Sequence, residues 1–219
     1  MRLEWDKTGE KLYEAGVDRG VVYRQDSTGA YKGGAAVWNG LTAITESPEG
    51  AEVTDLYADN IKYASMRAAE NYKSTAEAYT YPDLFAECDG SAELTEGVTI
   101  GQQDRKPFGM SYRTNIGSDA DIEDAYKLHL VYGCTVSPSE KAYETINDSP
   151  DAITFSWEID TTPVNVTGHK PTATLVINST KVSKAALKAV EDALYGTAEN
   201  EPYLPLPDEV KALVEGAAA

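Results

Sequence analysis

A mostly β domain with one flanking helix is what the sequence predicts, on three observations. Glycine and proline punctuate the chain about every ten residues, and the runs between them are rich in Val, Ile, Thr and Tyr. Three of those runs alternate between apolar and polar side chains, the period of a strand with one face toward a core. Only one window combines a helix start, an inner stripe and a stop.

In chain order, the first candidate strands are 16–24 and 34–45. Asp59-Asn60 interrupts Val53–Tyr57 and Ile61–Tyr63, which predicts a long, polar hairpin loop near 46–66. Pro82, placed at a first helical position, opens a short helix near 82–89 that ends before Gly90 and packs Leu84 and Phe85. Candidate strands follow at 96–103 and 107–116, the latter forming a hairpin with 125–134 across 117–124. The alternation is clearest at Tyr126, Leu128, Leu130 and Tyr132, at Ile153, Phe155, Trp157 and Ile159, and at Ala173, Leu175 and Ile177. The single well-signalled helix spans 184–195. Ser183 caps it, Val182 packs on Leu187 as a staple, Leu187, Val190 and Leu194 form its inner stripe, and Gly196 ends it. The tail with Pro202, Pro205 and Pro207 reads as an extended arm. The expected organisation is one β domain over 1–196 and a C-terminal arm over 197–219.

Thirty-six acidic against nineteen basic side chains give a net charge of −17 on 219 residues. Such a surface opposes binding to a phosphate polyanion. The acids come in windows free of Lys and Arg, among them Glu46, Glu49, Glu52, Asp55 and Asp59, and Asp83, Glu87, Asp89, Glu93 and Glu96. Solvated, solubilising loops are one explanation, and a surface that must not hold a passing polyanion is another. The start, Met-Arg-Leu-Glu-Trp-Asp, lacks the apolar core of a signal peptide, and no apolar run approaches the ~20 residues of a membrane span, so synthesis in a cytoplasm without a membrane role is expected.

Catalytic chemistry has little material. The two histidines are His129, in the middle of a strand, and His169, in a Gly-His-Lys-Pro turn, and neither has a nucleophile motif beside it. Cys88 and Cys134 lie far apart with no Cys-x-x-Cys, which favours burial as small apolar groups over zinc. Asp119, Asp121 and Glu123 space carboxylates as a calcium loop does, but Asp124 and Leu130 stand where the turn glycine and the bidentate glutamate belong. A plain acidic turn and a weak calcium site both fit. Gly33-Gly34 lacks the Gly-Lys-Ser/Thr continuation of a phosphate loop. No catalytic, cofactor-binding or metal residue is therefore assigned. Fourteen tyrosines against three phenylalanines favour aromatics that keep a polar end, as wet interfaces do, although strands favour tyrosine as well.

Certain words then stand out: the stretch Trp38–Gly50 (Trp-Asn-Gly-Leu-Thr-Ala-Ile-Thr-Glu-Ser-Pro-Glu-Gly), Leu56–Asn60, Ala78–Pro82 with Glu87-Cys88, Gly97–Gly101 and Lys106–Gly109. Tyr126–Tyr132, Ser137–Tyr143, Phe155-Ser-Trp157, Gly168–Pro171 and Leu204–Pro207 continue the series. This ordered set resembles the major tail proteins, the tail-tube subunits, of long-tailed phages and prophages of Gram-positive bacteria. It spans nearly the whole chain, and 66–75 and 195–203 depart from it.

The resemblance implies a β-sandwich or barrel-like tail-tube fold and a structural virion protein of the tail. Such a subunit assembles with itself into stacked, homo-hexameric rings that conduct genomic DNA to the host without binding it specifically. It implies a tape-measure protein in the lumen during assembly, and tail-terminator and distal tail proteins at the tube ends. By position, Asp55, Tyr57, Asn60, Lys62 and Tyr63 in the 46–66 loop are the implied contacts between rings or subunits. The alternative is a β-sandwich receptor- or carbohydrate-binding module at a tail tip, which needs exposed aromatics around one pocket. Closing a ring removes adhesive sheet edges, and an acidic bore lets a phosphate polymer slide.

Overall fold

A rolled antiparallel sheet organises the chain in the computed structural model, which describes residues 4–119, 125–143, 145 and 152–217. The elements in order are β1 (Leu12–Arg24), β2 (Ala35–Trp38), β3 (Leu41–Glu46), β4 (Glu49–Gly50), β5 (Val53–Ala58), β6 (Ile61–Arg67), β7 (Glu70–Asn71) and β8 (Lys73–Ala78). Then come α1 (Asp83–Cys88), β9 (Ala92–Thr95), β10 (Val98–Ile100), β11 (Phe108–Ser118), β12 (Tyr126–Val136), β13 (Phe155–Thr161), β14 (Thr174–Asn178), α2 (Lys184–Tyr195) and α3 (Pro207–Gly216). The main sheet runs β2-β1-β11-β12-β13-β8-β3, with β14 also paired to β12. Its two margins, β2 and β3, are consecutive in the chain and separated only by Asn39-Gly40, so the expected single strand 34–45 is two strands broken at a turn. Leu41 lies over Gly20 of β1, where a Cβ would meet its Cδ1 at 2.2 Å, and this close approach curls β3 onto β1.

Rolling gives the sheet an inside and an outside, and each has its own core. Val22, Trp38, Ala76, Phe108, Met110, Trp157 and Ile159 line the inside, and α1 inserts Phe85 and Cys88 among them. The rings meet edge to face, with Phe85 at 5.2 Å and Trp38 at 5.4 Å from Trp157, the geometry their quadrupoles prefer. On the outside, Val21, Tyr23, Leu128, Leu130, Tyr132 and Ile177 pack under Leu187, Val190 and Leu194 of α2 and Val210 of α3. Two tyrosines couple the layers through their polar ends: Tyr23 donates to the Leu194 carbonyl at 2.9 Å, and Tyr132 to that of Pro205 at 3.0 Å.

Strand β12 serves both cores, with Val131 on the inner side, and its alternation is broken once. Phe108 pairs with Cys134 but Met110 with Val131, so β12 carries one residue more than β11 across this step. Gly133 lies there with φ 60°. Before the bulge the even-numbered Leu128, Leu130 and Tyr132 face the helices; after it Cys134 and Val136 face the interior.

The helix at 184–195 forms as expected, with the Ser183 hydroxyl accepting from the Ala186 N–H at 3.2 Å. The short helix differs by one position: Pro82 is the capping residue of α1 rather than its first helical residue. The 197–219 segment corrects the expectation of an extended arm. Pro207 begins α3, Val210 is buried, and Leu213 and Val214 pack against the outer core. The proline content suggests an extended arm, whereas Pro207 stands at a helix's first turn, where proline has no hydrogen bond to lose. Ahead of α3, Tyr203 donates to the Ala193 carbonyl at 2.8 Å and Leu204 bridges to Tyr31. Among the described residues the one flanking helix thus becomes two, α2 and α3, stacked on one face, while the short helix expected near 82–89 forms as α1.

Strand β1 is irregular on both sides of Asp18, which pairs with Arg113 between two register shifts. Arg113 grips both carboxylate oxygens, Nε at 2.8 Å and Nη2 at 2.9 Å. These charge-assisted bonds hold the Asp18 carboxyl below its ordinary range, against an opposing contribution from burial. Because the folded value is depressed, the pair stabilises the protein above the unfolded carboxylate value of ~3.9 and that contribution is lost as pH falls below it. Asp18→Asn is expected to lower stability at neutral pH by up to ~1 kcal/mol, the range for a half-exposed pair. In urea titrations the gap from the unchanged protein should close on acidification below about pH 4.

Candidate functional site

The pairing of β3 with β8 does not stop at the sheet. Glu46 pairs with Ser74, Ser47 donates to the Lys73 carbonyl, β4 pairs with β7, and β5 pairs with β6 as far as the Asp59-Asn60 turn. What the sequence suggests as a hairpin loop near 46–66 is therefore a two-stranded ribbon continuous with the sheet. Asp59 and Asn60 have φ of 53° and 62°, the left-handed pair that a two-residue turn of matching twist requires.

Cross-strand partners share a face, so the register sorts the ribbon's side chains. Asp55 lies opposite Ser65 and Tyr57 opposite Lys62, which places these four on one face. There Lys62 contacts the Asp55 carboxylate at 2.7 Å and Ser65 donates to it at 2.7 Å. Both bonds hold Asp55 below its usual carboxylate range, Lys62 contributing the larger part. The two charges thus satisfy each other and make a poor adhesive. Tyr57 and Tyr63 are exposed, 70% and 76%, and Asn60 forms the tip. Of the five expected contact residues, then, two are spent on an internal ion pair, one shapes the turn, and two offer free aromatic surface.

The opposite face holds residues that the sequence reading does not single out. Leu56 faces Ala64, Ala58 faces Ile61 and Thr54 faces Met66, a nearly all-apolar row. Ile61 is 66% and Met66 60% exposed. This corrects the description of the hairpin as polar. The signal was present as Thr54, Leu56 and Ala58 alternating with Asp55 and Tyr57, but the surrounding acids masked it. An uncovered apolar strip on a projecting ribbon is the surface type that marks an interaction site.

The root of the ribbon is fixed by a polar group inside the rolled sheet. Tyr112 donates to Glu46 at 2.9 Å, and His129 stacks on Tyr112 with centroids 4.6 Å apart and planes within 4°. The His129 Nε2 meets the Thr114 hydroxyl at 3.0 Å, and burial holds its pKa below the ordinary histidine value. The Nδ1 atom is buried without a partner. His129 therefore packs and braces the root. His169 is exposed in its turn. Cys88 and Cys134 are buried free thiols, and burial pushes Cys88 up to about 12, away from reactive thiolate.

Strands β2, β3 and β14 each pair on one side only among the described residues, leaving backbone donors and acceptors open along three edges. Trp38 and Trp157 are buried and only Trp5 is exposed, so the tryptophans form no sugar-binding platform. The acidic window from Asp119 to Asp124 lies outside the described residues except for Asp119, which accepts from the Gly9 N–H at 2.9 Å. Among the described residues no cluster of His, Cys, Asp and Glu could hold a metal ion, and no helix is long and apolar enough to cross a membrane. A scan against protein-family models finds no matching family, and a search of curated proteins finds no match.

Proposed function

We propose that this chain is a structural virion protein, a tail-tube subunit that assembles with itself into stacked, hexameric rings through which genomic DNA passes to the host. The observation that carries the reading is the ribbon: an extension of the sheet that presents Leu56, Ile61 and Met66 to solvent, with no described residue covering them. Three open sheet edges support ring closure, since pairing each with a neighbour's edge removes an aggregation liability. A net charge of −17 supports a conduit that does not retain phosphate. On this reading the tape-measure protein occupies the lumen during assembly, and terminator and distal tail proteins close the ends.

The test is electron microscopy and sedimentation of the purified chain at rising concentration, where rings or filaments of regular diameter are expected. Replacing Ile61 and Met66 together with aspartate should raise the concentration needed for assembly roughly 100-fold, the equivalent of losing two buried apolar side chains, while circular dichroism stays unchanged. A protein that remains monomeric at millimolar concentration, or a double variant that assembles as the unchanged chain does, would overturn the proposal.

A further inference from the structure

A groove of about 630 Å³ opens where the ribbon joins the sheet. Ala51, Ala69, Pro163 and Pro171 give it apolar walls, and Arg67 and Lys170 stand on its lining. Neither cation forms an ion pair with another described residue. Two cations against the single carboxylate of Glu70 make this a locally positive depression on a chain of net charge −17. Its Arg67 belongs to the same strand, β6, as the ribbon's Lys62 and Ser65.

One other exposed element has the opposite character. The hairpin of β9 and β10 turns at Glu96-Gly97 and leaves Leu94 69%, Val98 48% and Ile100 39% exposed. Its charged side chains, Glu93 and Glu96, are both acidic, and no Lys or Arg occurs between Ser91 and Asp104.

We propose that the groove of one copy receives the β9–β10 hairpin of a second copy. Leu94 and Val98 pack on the proline and alanine walls, and Glu93 and Glu96 face Arg67 and Lys170. The contact rests on the self-assembly reading and supplies one of its joints. It uses two different patches of the same chain, so it is heterologous, and each copy keeps a free groove or hairpin for the next.

Charge reversal tests it on the full chain. The pair Glu93→Lys with Glu96→Lys, and separately the pair Arg67→Glu with Lys170→Glu, should each raise the concentration for assembly about tenfold or more, because like charges then meet. An equimolar mixture of the two variants should assemble again, since each hairpin finds a groove of opposite sign, and added salt should weaken that recovery. Glu96→Lys alone leaves the bond from Gly97 to Glu93 intact and should act in the same direction with a smaller effect. Variants that assemble like the unchanged chain, or a mixture that fails to recover, overturn this joint while unaltered assembly of the unchanged chain keeps the tube reading. A chain that never assembles overturns both.

Discussion

Gly133→Ala is expected to destabilise the protein by about 4 kcal/mol, enough to unfold much of a marginally stable chain. Gly133 has φ 60°, where an alanine costs roughly 1–2 kcal/mol. The larger part is steric: a Cβ there would lie 2.1 Å from the Thr162 carbonyl oxygen, a backbone atom with no side-chain freedom to yield. That backbone is itself fixed, since Thr162 donates to the Gly133 carbonyl at 2.9 Å while Gly133 donates to the Tyr31 hydroxyl at 2.6 Å. Moving the loop aside would break the bulge that turns Cys134 and Val136 inward. Gly168→Ala is the matched control: φ is 78° but no atom lies within 4 Å of the added carbon. It should cost only the conformational ~1–2 kcal/mol. Urea midpoints of the two variants would measure the difference, and equal values would show that the crowding at Thr162 relaxes freely.

Trp157→Ala is expected to cost about 3–5 kcal/mol, since it empties the centre of the inner core. The ring contacts Trp38, Tyr81, Phe85 and Phe155, which come from β2, the loop before α1, α1 and β13. Its loss therefore unsettles the packing of α1 as well as the sheet. Trp157→Phe should cost clearly less than the alanine change. The indole N–H is buried without a hydrogen-bond partner, and removing it relieves a desolvation penalty of about 1–3 kcal/mol that partly offsets the smaller ring. Denaturation curves for both variants, with near-ultraviolet dichroism as a report on packing, would separate the two contributions.

The sequence carried those parts of the fold that depend on local periodicity and local chemistry. α2 was legible from Ser183 to Gly196 because its cap, stripe and terminator are consecutive, β13 and β14 because one face of each is buried, and β12 because its apolar and polar residues alternate as far as Tyr132. α3 was not, because three prolines outweighed Val210, Leu213 and Val214 in a pattern where the last proline begins the helix. Nor was the parity change at Gly133, which exists only relative to β11. In the ribbon, composition gave the turn at Asp59-Asn60 but obscured the apolar row, and the neutralisation of Asp55 by Lys62 depends on a register no single strand contains. The groove combines residues from the ribbon root and 163–174, which only the folded sheet brings together.

Not one residue from Glu49 to Asn71 is buried, although this stretch continues two strands of the main sheet. Thirteen residues out from Glu46, at about 3.3 Å each, the tip reaches up to ~40 Å, against a radius of gyration of ~17 Å for a chain of this length. Side chains on the projecting arm can therefore change with little effect on the packing of the body that bears it. Substitutions there should leave the melting temperature almost unchanged, as thermal denaturation of such variants would show.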